Sequence, residues 1–203
     1  MKTYEFELKF RLPGTAPGPG YFIERLGETG CTDALVGIGQ SGRIAFHFNR
    51  DANCAFEAVL SAIKDIKQAI PEASLIEAAP DLVGLSDIAD ILGYSRQNIR
   101  KLMMNNPASF PTPIHEGKTI LWHLSSILTW VKDSNRYQID ELLLDVANTN
   151  MQLNIAKESV HVDASIQKHF MATVTPSKVI RQCKNRGRSR VKKKRALTTF
   201  LGM

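Results

Sequence analysis

Residues 81–132 read DLVGLSDIADILGYSRQNIRKLMMNNPASFPTPIHEGKTILWHLSSILTWVK. Ser86 is placed to cap a short helix carrying Ile88, Ala89, Ile91 and Leu92 at helical spacing. Gly93 ends that helix where a left-handed residue is needed, and Tyr94 fills the turn. Ser95 caps a second helix, Arg96 to about Asn105, with Ile99, Leu102 and Met103 toward the core. Asn106-Pro107 stops it, and Phe110-Pro111-Thr112-Pro113 forms an extended connector. Ile114 and His115 run into Glu116-Gly117, and Lys118–Trp122 runs out, so a hairpin turns at Glu116-Gly117. Ser125 is placed to cap a closing helix with Ile127, Leu128, Trp130 and Val131.

The polar residues of this stretch carry a chemistry. Arg96, Gln97, Arg100 and Lys101 fall mainly on the side of their helix away from Ile99. Arginine pairs bidentately with guanine O6 and N7, and glutamine with adenine N6 and N7. His115 and Lys118 flank the hairpin tip, within reach of phosphate, which positions a protein without reading sequence. The competing reading is a solvated helix face, the commoner fate of such residues. Two helices, a hairpin and a third helix follow the plan of a winged helix-turn-helix, with residues 95–105 for the major groove and 114–122 as the wing.

The segment Val83–Lys132 resembles the excisionase and AlpA-type members of the MerR-like winged helix-turn-helix superfamily. The resemblance rests on LSDIADILGYSRQNIRKLM and FPTPIHEGKTILWHLSSILTWV. Ser126-Ile127 stands where the family pattern often has Asp-Ile. It covers about 50 of the 203 residues, and the whole chain is similar to bacterial helix-turn-helix transcriptional regulators of about this length. The resemblance implies double-stranded DNA as partner, with Ser95, Arg96, Gln97, Arg100, Lys101, His115 and Lys118 at the interface, and names no target sequence.

Charge is unevenly placed. The chain carries 26 Lys and Arg against 20 Asp and Glu. Ten of the basic residues and no acidic one lie from Lys178 onward: Lys178, Arg181, Lys184, Arg186, Arg188, Arg190, Lys192, Lys193, Lys194 and Arg195. Residues 1–177 therefore sum to −4, and residues 81–135 are neutral, with five basic and five acidic side chains. The long-range attraction a polyanion needs sits in the tail. Residues 177–203 read as a disordered basic tail for DNA phosphates, with RNA or an acidic protein as alternative partners.

No apolar run approaches the ~18–20 residues of a membrane span, and MKTYEFELKF, with Glu5 and Glu7, is no secretory signal. Cys31, Cys54 and Cys183 are too far apart for a zinc motif, and His47, His115, His123, His161 and His169 form no ligand pattern. Cys31 and Cys54 read as small core residues of a cytoplasmic protein. No catalytic set, metal site or cofactor is expected. Gly37, Gly39 and Gly42 match G-x-G-x-x-G, but between two strands, whereas the dinucleotide motif must open a helix.

Tyr4, Phe6, Leu8, Phe10 and Leu12 alternate with Glu5, Glu7, Lys9 and Arg11, a half-buried strand. A helix over 21–28, strands over 34–38 and 43–49, a helix over 53–70 and a strand over 74–77 follow. The long helix shows Phe56, Val59, Leu60, Ile63, Ile66 and Ile70 on one side. The βαββαβ order over residues 1–80 suggests an α+β, ferredoxin-like domain, with residues 82–134 as the winged helix-turn-helix. Within 138–172, Ile139, Leu142, Val146, Thr149, Leu153, Ala156 and Val160 step by three and four. That seam suits either a dimerising helix over 139–160 or a helix packed on its own chain. The expected whole is a DNA-binding transcriptional regulator and no enzyme. The alternatives are an excision or recombination accessory factor and an RNA-binding or ribosome-associated factor.

Overall fold

The computed structural model describes residues 1–13, 19–28, 31–37, 40, 42–134 and 138–174. It is a mixed α+β protein whose described residues divide into two units, one ending at Lys157 and the other beginning at Glu158.

Strands Lys2–Arg11 (β1), Ala34–Gly37 (β2), Arg43–Ala52 (β3) and Ser74–Ala79 (β4) form an antiparallel sheet in the order β2-β3-β1-β4. Helix Pro19–Glu28 (α1) links β1 to β2, and Ala55–Ala69 (α2) links β3 to β4. The alternation in β1 is realised, and β1 and β3 pair in register from Lys2 with Ala52 to Arg11 with Arg43. Tyr4, Phe6, Leu8 and Phe10 share one buried face with Ile44, Phe46 and Phe48. Phe6 and Phe48 stack at 5.2 Å. His47 points outward, its Nε2 2.9 Å from Glu5 Oε1.

The buried side of α2 is Ala55, Ala58, Val59, Ala62, Ile66 and Ala69. Of the expected stripe, Val59, Ile66 and Ile70 are buried, whereas Phe56 and Leu60 are exposed and Ile63 is half-buried. Phe56, Leu60 and Ile63 line a groove of about 580 Å³ with Thr149, Leu153 and Ala156.

A second sheet, in the order β5-β7-β6, is built from Leu82–Val83 (β5), His115–Glu116 (β6) and Ile120–His123 (β7). Helices Leu85–Leu92 (α3), Arg96–Asn105 (α4) and Leu124–Asp133 (α5) pack with it around Ile88, Ala89, Ile99, Trp122, Ile127, Leu128 and Val131. Three local expectations change. Gly84, not Ser86, precedes α3, and Asp87 Oδ2 accepts the Gly84 N–H at 2.8 Å. His123, not Ser125, precedes α5, and Ser125 is buried with its hydroxyl on Met151 Sδ. The hairpin turns through Gly117, Lys118 and Thr119, because Glu116 pairs with Ile120.

Where one helix was expected over 138–172, two are found, Glu141–Ser159 (α6) and Ala164–Val174 (α7). Asp163 Oδ1 starts α7 by accepting from the N–H groups of Ser165 and Ile166. Part of the three-four seam packs within the chain, while Val160 is exposed. Leu142, Val146 and Leu153 pack on the core of the first sheet, while Ile139, Leu143, Leu144 and Ala147 pack on the core of the second. Among the described residues no helix is long and apolar enough to cross a membrane.

Candidate nucleic-acid interface

The joint between α3 and α4 is fixed by backbone chemistry. Gly93 has φ +70°, in the left-handed region that favours glycine. The turn it makes lets the Tyr94 N–H reach Ala89 O at 2.8 Å. Ser95 Oγ then accepts the Asn98 N–H at 3.2 Å, satisfying a donor the helix start would leave free. Ser95 Oγ is thus engaged as a cap. Ile99 is buried and Leu102 and Met103 are half-buried, anchoring α4 from behind.

With one side of α4 fixed, the other is set. Arg96, Gln97, Arg100 and Lys101 are all exposed, as are Asn98, Met104 and Asn105, which the sequence reading did not include. Among the described residues, Arg96, Arg100, Lys101 and Lys118 make no ion pair. By contrast, Lys9, Arg50 and Lys132 each sit on a carboxylate.

The hairpin beyond α4 is braced rather than loose. Asn106 donates from Nδ2 to Leu102 O at 2.7 Å, and Trp122 Nε1–H donates to Pro111 O at 2.9 Å. Phe110 meets the rings of Trp122 and Trp130 edge-on, at 6.0 and 5.1 Å. At the tip, His115 and Lys118 are exposed. The His115 ring folds over Gly117, where a Cβ would stand 2.7 Å from its Nε2. Glycine therefore gives the ring its place. The ten basic side chains from Lys178 to Arg195 lie outside the described residues.

A buried polar joint sits behind this surface, and the sequence reading missed it. Asp81 follows the cis Ala79-Pro80 peptide and is 1% exposed. Its Oδ1 lies 2.7 Å from His123 Nδ1, and its Oδ2 accepts from Asn154 Nδ2 at 2.8 Å. Its carbonyl accepts the Leu124 N–H at 2.7 Å, at the start of α5. Asn154 also serves the edge of the first sheet, donating to Ala78 O and accepting from the Ala78 N–H. Lys157 reaches Ile76 O and Asn150 reaches Pro80 O. The row Asn150, Asn154 and Lys157 thus covers part of the outer edge of β4, which would otherwise invite strand addition. A signal was present in the sequence: α6 carries Asn148, Asn150 and Asn154, poor helix formers whose amides must be used elsewhere.

A second cluster lies within the first sheet's fold. Arg50 reaches Asp33 by two bonds, Asp65 Oδ2 at 2.7 Å and Ser61 Oγ at 3.1 Å, with its guanidinium over the Phe48 ring. The hydrogen bonds from Arg50 hold the Asp33 carboxyl below the usual carboxylate range. Burial pushes the neighbouring Cys31 thiol up, so it rests as a thiol. Cys54 is half-buried. Among the described residues no group of three or more His, Cys, Asp or Glu could hold a metal ion.

Comparison with protein-family models, with curated proteins and with solved structures returns no match to this chain.

Proposed function

We propose that the chain is a sequence-specific DNA-binding protein acting as a transcriptional regulator. In this reading the first sheet with α1 and α2 is a ferredoxin-like domain, and α3 to α5 with β5 to β7 are a winged helix-turn-helix. Helix α4 enters the major groove and the β6–β7 hairpin lies along the flanking backbone as the wing. The observation that carries the reading is the outer face of α4. It shows Gln97, Arg100 and Lys101 exposed, its cations have no carboxylate partner among the described residues, and its helix is locked from behind by Ile99 and the Gly93 turn. Such a face offers donors in fixed positions to base edges.

The tail adds a sequence-independent term. Deleting residues 178–203 removes ten positive charges from a chain whose remainder is net −4. With half of those charges on phosphate, the slope of log K against log salt should fall by roughly four to five. Preference among sequences should survive, because base edges are read from the grooves. An unchanged slope would take the tail off DNA and assign it to RNA or an acidic protein.

The reading is tested by selecting bound duplexes from a random library with full-length protein, then repeating with Gln97→Ala and Arg100→Ala. A recovered common motif that each variant blurs at one position supports it. Recovery of random sequence by wild-type protein overturns it.

A further inference from the structure

At about 100° per residue, Gln97, Arg100, Lys101 and Met104 fall on one face of α4 about 100° wide. That face lies opposite buried Ile99. The four positions follow the spacing i, i+3, i+4, i+7, by which a helix lying along the major groove reaches successive base edges. Arg96 lies on the shoulder of this face, nearer Met103. Three of the four are polar or cationic. The fourth is a methionine, 65% exposed.

The other apolar side chains of α4 are turned inward: Ile99 is buried, and Leu102 and Met103 are half-buried. Met104 therefore has no part in the core. Its neighbours one turn back are Arg100 and Lys101, with no acidic partner among the described residues. A polyanion that also offers an apolar group within reach of a helix side chain would complement this patch. The major groove offers one such group on the standard bases, the C5 methyl of thymine.

We infer that Met104 is a specificity-determining residue that packs on a thymine methyl, while Gln97, Arg100 and Lys101 supply the hydrogen bonds and Arg96 holds phosphate. The inference rests on the DNA-reading function proposed above and adds to it a base and the residue that reads it.

The test uses full-length protein and the duplex recovered by selection. Each thymine is replaced in turn by uracil, which removes only the methyl group. For the wild type, one position should lose about fourfold in affinity, the worth of one buried methyl. Met104→Ala should lower affinity for the thymine duplex by a similar factor and should no longer distinguish thymine from uracil there. Arg96→Ala should weaken specific and random duplexes alike. Wild-type protein indifferent to every thymine-to-uracil change, or a site without thymine, overturns the inference and leaves DNA reading standing. So does a uracil penalty that persists at the same position in Met104→Ala. Absence of any sequence preference in the wild type overturns both. Because Met104 lies outside the core, an unchanged melting temperature shows that the variant is folded.

Discussion

Helix α4 and helix α6 spend their polar side chains in opposite ways. On α4, Gln97, Arg100 and Lys101 point to solvent, and the Ser95 cap that starts the helix is bonded three residues along the chain. On α6, Asn150 and Asn154 point inward to partners some 70 residues away, at Pro80, Ala78 and Asp81. Removing Gln97, Arg100 or Lys101 strands no partner among the described residues, whereas removing the Asn154 amide strands donors and acceptors at Ala78 and Asp81. The first region leaves its polar groups to solvent. The second holds β4, Asp81 and the start of α5 together, so that the surface carrying α4 has a fixed base.

The sharpest way to break this comparison is Asp81→Ala. It leaves His123 Nδ1 and Asn154 Nδ2 without their carboxylate in a buried site. We expect a loss of roughly 2–4 kcal/mol in urea unfolding, the cost of two stranded donors. A loss no larger than that of a surface substitution would show that the joint holds nothing. Asn154→Ala comes next. It frees the N–H and C=O of Ala78 as well as Asp81 Oδ2, some of which water can reach, and should cost about 1–3 kcal/mol. Gln97→Ala in the same assay should stay within about 0.5 kcal/mol, so equal losses for the two would erase the distinction between the helices.

Smaller effects sharpen it further. Gly93→Ala should cost about 1–2 kcal/mol, because alanine must take a left-handed conformation to keep the turn. Stability like that of the wild type would place the turn's value elsewhere. The Arg50 cluster is an intermediate case, with partners 11 to 17 residues away. Asp33 is held below its ordinary range by Arg50, so its contribution is present above the unfolded carboxylate value of about 3.9. That contribution is lost as pH falls through the lower, folded value. Unfolding of Asp33→Asn followed from pH 6 to pH 2 should show a shallower acid loss than the wild type. An identical profile would remove Asp33 from the account.

The same contrast explains what the sequence made legible. The β1 alternation, the Gly93 turn and the Ser95 cap are local signals, and each appears where its residues place it. Ser86 and Ser125 satisfy the capping rule equally well on paper, yet Gly84 and His123 hold those positions. A serine one or two residues inside a helix looks the same in sequence as one at its start. Leu82–Val83 is too short for any periodicity, and it becomes a strand only because Trp122 and His123 pair with it. On α2 the large residues drew attention, but only Val59, Ile66 and Ile70 of them reach the core, beside Ala55, Ala58, Ala62 and Ala69. For α6 the three-four step was visible, but not that alternate positions would serve two cores. Asp81, His123 and Asn154 carry no spacing signal, since 42 and 73 residues separate the partners. Of the exposed face of α4, Arg96, Gln97, Arg100 and Lys101 were legible from type and spacing; Met104 was not, because its exposure depends on how Ile99 seats the helix.

The central claim is that α4 reads base edges, and the ratio of specific to random binding measures it most directly. Wild-type protein and Arg100→Ala would be titrated in competition against the selected duplex and a scrambled one at fixed salt. The account predicts that Arg100→Ala loses roughly 1–3 kcal/mol on the selected duplex and far less on the scrambled one, so the ratio collapses. Equal losses on both duplexes would show that Arg100 holds phosphate only and would contradict the reading of α4 as the recognition helix.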